Sequence, residues 1–283
     1  KICAGAPRCI QQLESETRAV CFAAGLGFPG RTRVSVGRRL RSFAEHFPFE
    51  KAWYAKRVPK LRVEFVGHPM LSRFAMDHLL LPDSSPVAEA IENRESQILL
   101  LPGSRRSELN RHLPVMLEAL KQIQNQQPKT RGKMVLPNPS LVDLAKSLGS
   151  PATLEIQIGE LHTALREADI AIASTGTVTM ECAFFGVPTV TLYKTSWSTY
   201  EIAKRIVKVK SLTMPNLLAD AEVFPEFIQN AATAENISRA ALDLLGNASR
   251  RAEIKTQLRT IINSLGGPGA TLRAAQAIVG LLN

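Results

Sequence analysis

Between Ile98 and Tyr193, short apolar runs alternate with segments of helical period, and nothing else in the chain constrains its fold as tightly. The strand candidates are 98–101, 133–136, 154–158, 170–173 and 189–193, with helix candidates at 113–124, 141–148, 161–167 and 178–185. Ile98-Leu99-Leu100-Leu101 and Ile170-Ala171-Ile172-Ala173 are apolar at every position, so both faces of each strand need cover. Strands of that kind separated by helices predict an α/β fold, a Rossmann-type parallel sheet with helices on both faces.

In such a sheet ligands collect outside the carboxyl ends of the strands, so the loops that follow them hold the candidate site. The first is Leu101-Pro102-Gly103-Ser104-Arg105, a Pro-Gly break between a strand and a helix. Gly103 lets the backbone approach a ligand closely, Ser104 can donate a hydrogen bond, and Arg105 carries a fixed charge on a fork suited to phosphate oxygens. Neither the P-loop spacing nor the six-residue dinucleotide fingerprint is present. The second loop is Ser174-Thr175-Gly176-Thr177, with Glu181 about one helical turn on, where a carboxylate can accept from a pair of sugar hydroxyls. Helix capping by Ser174 or Thr177 is the simpler alternative for that loop.

Composition narrows the class. The chain has 283 residues, 45% hydrophobic and 21% charged, in the range of soluble globular proteins. No apolar run approaches the roughly 20 residues that span a bilayer. Its 4 cysteines form no CxxC pair and no His lies at metal-ligand spacing, so neither metal nor cofactor is expected. The net charge is +10, but residues 1–60 hold 12 of the 35 Lys and Arg against 4 of the 25 acids. An excess so localised, in a Gly-rich stretch around Arg31, Arg33, Arg38, Arg39 and Arg41, reads as a basic arm and not as a nucleic-acid interface. A basic amphipathic segment at 200–210, with Lys204, Arg205 and Lys208 opposite Ile202 and Ile206, is either a solvated helix face or a membrane-surface contact.

Residues 1–41 have no sustained periodicity; order begins with a turn and short helix at Phe47–Tyr54 and an alternating strand at Leu61–Val66, and Leu81-Pro82-Asp83-Ser84-Ser85-Pro86 reads as a linker. From Glu235 onward the pattern is helical, broken by Gly266-Gly267-Pro268-Gly269 before an apolar helix at 271–282.

Six short segments in order resemble the lipid-A-disaccharide synthase family: Phe47-Pro48-Phe49-Glu50-Lys51, Val66-Gly67-His68-Pro69, the Gly103 loop with Glu108, Thr175-Gly176-Thr177 with Glu181, Pro215-Asn216-Leu217-Leu218-Ala219, and Pro225-Glu226-Phe227-Ile228-Gln229. The resemblance covers Phe47 to the end. It implies a GT-B-like architecture: an acceptor-side N-terminal region at 1–80, a Rossmann-like UDP-sugar donor domain at 81–265, and a helix at 266–283 that packs toward the N-terminal region. It implies an inverting transfer of 2,3-diacylglucosamine from UDP-2,3-diacylglucosamine to 2,3-diacylglucosamine 1-phosphate at the cytoplasmic face of the bacterial inner membrane, by a peripheral protein. Carried over, Gly103, Ser104 and Arg105 with Glu108 face the diphosphate, Thr175, Gly176 and Thr177 line the nucleotide loop, Glu181 holds the ribose, and Asn216 and Gln229 lie beside the donor.

Here the chain departs from the family pattern. It lacks the opening Gly-Glu-x-Ser-Gly-Asp loop and has no Asp before Asp77, so the family's candidate catalytic aspartates have no counterpart. The expectation is a truncated or altered N-terminal domain with nucleotide binding kept and catalysis poor, His68 being the one substitute base. Alternatives are another GT-B enzyme of UDP-sugars and a non-catalytic UDP-binding or membrane-surface module. An exposed apolar face on the last helix would favour homo-oligomers.

Overall fold

The computed structural model describes residues 21–22, 42–45, 47–74, 95–197, 200 and 211–280. The expected basic arm, the linker, nearly all of the basic segment at 200–210, and residues 281–283 lie outside them. The chain divides into two compact units, Lys1–Leu81 with Asn263–Asn283, and Pro82–Ile262.

The second unit holds a parallel sheet of β4 (Ser96–Leu101), β5 (Thr130–Leu136), β6 (Glu155–Ile158), β7 (Ile170–Ser174), β8 (Thr189–Tyr193) and β9 (Glu226–Ile228), in the order β6-β5-β4-β7-β8-β9. Helices cover both faces, and Ile98, Leu99, Leu100, Ile170, Ala171, Ile172 and Ala173 are fully buried. The chain moves outward from β4 to β6, returns to the centre at β7, and then moves outward the other way. β4 and β7 are therefore parallel neighbours at the reversal, with Leu101 opposite Ala173 at their carboxyl ends.

The helices of this unit are α3 (Arg106–Gln126), α4 (Pro139–Ser147), α5 (Leu161–Glu167), α6 (Val178–Phe184), α7 (Met214–Ala219), α8 (Ala234–Gly246) and α9 (Ala248–Ser264), whose last residues, Asn263 and Ser264, are counted with the first unit. The helix expected at 113–124 starts earlier and runs through Pro114. A proline there removes an N–H and crowds the preceding turn. The stripe of Leu109, His112, Leu113, Met116, Ala119, Leu120 and Ile123, all buried, holds the helix against that cost. Gly132 on β5 leaves room for α3, since a Cβ there would sit 2.5 Å from Leu120 Cδ2.

The first unit holds β1 (Cys21–Phe22), β2 (Ser42–Glu45) and β3 (Arg62–Phe65), mutually parallel, with α1 (Pro48–Arg57), α2 (Met70–Arg73) and α10 (Ala270–Val279). β1 and β2 fall before Phe47, where the sequence shows no pattern; strands of two and four residues are too short to carry a period. Arg273 of α10 donates from Nε to Val66 O (2.9 Å), from Nη1 to Pro268 O (2.7 Å) and from Nη2 to Gly267 O (2.7 Å). Gly67, at φ +85°, lies so close that a Cβ would be 2.7 Å from Arg273 Nη2. On α10, Ala270 and Ala274 are buried while Leu272 and Val279 are exposed.

Leu113 of α3 is fully buried. Leu113→Ala is expected to cost about 2–5 kcal/mol, read from the midpoint of urea unfolding at unchanged slope.

Candidate functional site

Both candidate loops lie in the second unit, at the carboxyl ends of the two strands that meet where the order reverses. The Gly103 loop follows β4 and the Thr175-Gly176-Thr177 loop follows β7. A crevice forms at such a point because the connections from the two strands leave in opposite directions.

Gly103 takes φ +120°, and a Cβ there would fall 2.5 Å from Glu108 Oε2 and 2.8 Å from Glu108 Cβ. Only glycine fits. The Glu108 carboxylate folds back over the loop and accepts from Ser104 N (3.0 Å), from Arg105 N (3.3 Å) and from Arg105 Nη1 (2.8 Å). These are backbone groups that an anion would otherwise use, so Glu108 caps the loop with a carboxylate of its own. Arg105 projects into solvent, its side chain 77% accessible, one edge of the guanidinium engaged by Glu108.

Across the crevice, Gly176 takes φ +145° with open space where a Cβ would lie. Thr179 Oγ1 donates to Gly176 O (2.7 Å) and fixes the turn into α6. Thr175 and the first-turn Glu181 are half-buried, and Gly176 and Thr177 are exposed. Cys182 beside them is fully buried, and burial pushes its thiol up to about 12, so it is inert as a nucleophile.

Two further expected residues occupy supporting positions. Asn216 is 2% exposed and makes four hydrogen bonds: Nδ2 donates to Phe224 O and Glu226 Oε1, both at 2.8 Å, and Oδ1 accepts from Val223 N (2.9 Å) and Phe224 N (2.8 Å). Its amide is spent on holding the approach to β9. Gln229, at φ +51°, grips the backbone of Thr195, with Oε1 accepting from Thr195 N (2.7 Å) and Nε2 donating to Thr195 O (3.2 Å). His68 belongs to the first unit, where its Nδ1 accepts from Met70 N (3.2 Å) and its ring lies 5.2 Å from that of Phe47.

Two residues here were not singled out from the sequence. Glu226 accepts from Leu212 N (2.8 Å), Thr213 N (2.9 Å), Thr213 Oγ1 and Asn216, and so ties the start of α7 to β9. Its place in the Pro225–Gln229 motif was the available signal. His112 on α3 is fully buried, its Nδ1 2.9 Å from Pro102 O and its Nε2 3.0 Å from Lys194 N and 3.2 Å from Lys194 O. It lies one residue before the helix expected at 113–124, so no pattern in the sequence marked it. Among the described residues no group of His, Cys, Asp or Glu could hold a metal ion.

The lipid-A-disaccharide synthetase family model matches residues 35–279. Lipid-A-disaccharide synthase of Synechocystis is 36% identical over 247 residues, 84% of this chain and 61% of the relative; that of Trichlorobacter lovleyi is 34% identical over 258 residues, 89% of this chain and 65% of the relative. The chain thus spans less than two thirds of the length of these relatives. A protein described as UDP-N-acetylglucosamine 2-epimerase from Listeria monocytogenes superposes with a TM-score of 0.58 at 18% identity, covering 89% of this chain and 62% of the other. The UDP co-structure of MnaA from S. aureus superposes at 0.53 with 15% identity, covering 88% and 61%. These likenesses establish the GT-B-like fold.

Asn216→Asp keeps the shape but turns a donor into a carboxylate oxygen facing Phe224 O and Glu226. A loss of roughly 2–3 kcal/mol is expected at neutral pH, measured by thermal and urea unfolding. Burial lowers the pKa of His112 below its ordinary 6.5, ahead of the raising effects of its hydrogen bonds with Pro102 and Lys194 and of Glu108. The unfolded chain therefore takes up the proton first as pH falls. The contribution is complete above about pH 6.5 and declines below it, so the unfolding midpoint should drop on the acid side, and less so in His112→Asn.

Proposed function

The chain belongs to the lipid-A-disaccharide synthase family, and from that membership we propose that its second unit binds the UDP portion of a nucleotide-sugar donor in the crevice between the β4 and β7 loops. The observation that carries this reading is the adjacency of the two loops at the strand-order reversal. The Gly103 loop and Arg105 meet the diphosphate, Thr175, Gly176 and Thr177 line the nucleotide, and Glu181 holds the ribose hydroxyls. Glu108, Asn216 and Gln229 serve the same site by holding its backbone.

The reaction is an inverting transfer of 2,3-diacylglucosamine from UDP-2,3-diacylglucosamine to 2,3-diacylglucosamine 1-phosphate. The products are the β-1,6-linked disaccharide 1-phosphate and UDP. Negative charge grows on the departing diphosphate in a single displacement. Fixed donors aimed at that charge lower the barrier without a metal, and Arg105 with the Gly103 N–H, the loop donor that Glu108 does not occupy, fills that role. The acceptor hydroxyl must lose its proton to a base; the family's aspartates have no counterpart in this sequence and His68 is the one substitute, so turnover is expected to be slow. Both substrates carry acyl chains, so the protein works as a peripheral protein at the cytoplasmic face of the inner membrane. No described helix is long and apolar enough to cross a membrane.

Calorimetric titration with UDP tests the donor site. Arg105→Ala is expected to weaken binding roughly tenfold, the scale of one charge-assisted hydrogen bond. A folded chain that gives no heat with UDP, or a variant that binds as tightly as the wild type, would overturn the assignment. Mass spectrometry of products from acylated and unacylated UDP-sugars then tests the transfer: disaccharide formed only with the acylated donor supports the proposed substrates.

A further inference from the structure

We propose that His112 is the positioning residue of the nucleotide crevice, acting through the two backbone groups that its ring ties together. This rests on the reading of the crevice as a UDP site and names a determinant of its affinity outside the loops themselves.

The ring bridges the loops on either side of β7. A carbonyl oxygen can only accept, so Nδ1 is the donor in the contact with Pro102 O at 2.9 Å. Nε2 lies 3.0 Å from Lys194 N and 3.2 Å from Lys194 O, so it meets the Lys194 backbone in either state, the neutral ring accepting from N and the protonated ring donating to O. Pro102 follows β4 and Lys194 follows β8, and β7 lies between those strands. One buried side chain thus joins the flanking loops across the end of the strand that delivers Thr175-Gly176-Thr177. The next residue, Thr195, is held at both N and O by Gln229, so two successive residues of the β8 loop are fixed by side chains from elsewhere in the unit.

Pro102 makes the tie consequential. It has no N–H, so its carbonyl is its sole main-chain hydrogen-bonding group, and His112 takes it. In a planar trans peptide the C=O and the following N–H point in opposite directions. None of the described peptides is cis. With the Pro102 carbonyl held toward His112, the Gly103 N–H is aimed away from the buried ring, and among the described residues no acceptor takes it. The Ser104 and Arg105 N–H groups are already bound by Glu108. Gly103 N–H is thereby the loop's remaining backbone donor for a phosphate oxygen, and His112 sets its direction.

The experiment combines UDP titration with amide hydrogen exchange on the full chain. His112→Phe keeps a planar ring and removes both hydrogen bonds; His112→Asn keeps a donor at the Nδ1 position. In His112→Phe, UDP affinity should fall roughly tenfold and the Gly103 and Ser104 amides should exchange faster without ligand, while His112→Asn recovers most of both. Should His112→Phe fail to fold, His112→Gln, whose amide extends toward Lys194 and past Pro102, takes its place and should lose affinity where His112→Asn retains it. Wild-type affinity in the ring variant, or equal losses in the variant that keeps the Pro102 contact and the one that does not, overturns the proposal. If the wild-type chain binds no UDP, the nucleotide reading falls, and the exchange rates alone decide whether His112 orders the loop: unchanged rates in His112→Phe refute the tie.

Discussion

Ile98–Leu101 of β4 lies beside Ile170–Ala173 of β7 in parallel register, although the two segments are separated by two further strands and their helices. Everything at the carboxyl edge of the second unit depends on that pairing. The chain must complete β5 and β6 on one side before β7 can close against β4, so the crevice is a product of long-range assembly. Its stabilisation comes from burial on both sheet faces, since strands as apolar as these gain only when covered. The two glycine loops are brought together by this core and by nothing within themselves.

Once placed, the loops are held by side chains that point inward. Glu108 binds the Gly103 loop, His112 its proline carbonyl, Gln229 the β8 loop and Asn216 the approach to β9. Each satisfies backbone groups that have no partner in a helix or ladder, as any turn near a core requires. A site built this way keeps its shape before a ligand arrives, and less ordering remains to be done on binding.

The sequence disclosed the architecture through its plainest signals. The runs at 98–101 and 170–173 are apolar throughout, and the helices between them are amphipathic, so the parallel sheet and both loops could be placed. The edges of elements were less legible. The helix expected at 113–124 begins at Arg106, because Leu109, His112 and Leu113 carry the buried stripe of α3 back beyond Pro114. β1 and β2 were invisible because a strand of a few residues has no measurable alternation. Within the site, residue type pointed to ligand contact for Asn216 and Glu108, but an amide or carboxylate serves a backbone N–H as readily as a substrate. Only coordinates distinguish the two. His112 and Glu226 escaped for the converse reason, since one lies just outside the helix expected at 113–124 and the other is a single carboxylate within an otherwise uncharged motif.

The Glu108 carboxylate raises an electrostatic question that the geometry answers. On the proposed reading of this loop as a diphosphate site a negative charge here would oppose binding, yet its oxygens face Ser104 N, Arg105 N and the Arg105 guanidinium, which neutralise much of its field. The side chain of Glu108 is 24% accessible against 77% for Arg105, so the cation stands further into solvent than the carboxylate. A phosphate at the proposed site would therefore meet the outer edge of the guanidinium before the carboxylate, and Arg can serve both because its five donors form two usable edges. Lysine, a single point charge, would have to choose between Glu108 and the ligand. The pairing thus makes arginine, and not merely positive charge, the requirement at position 105.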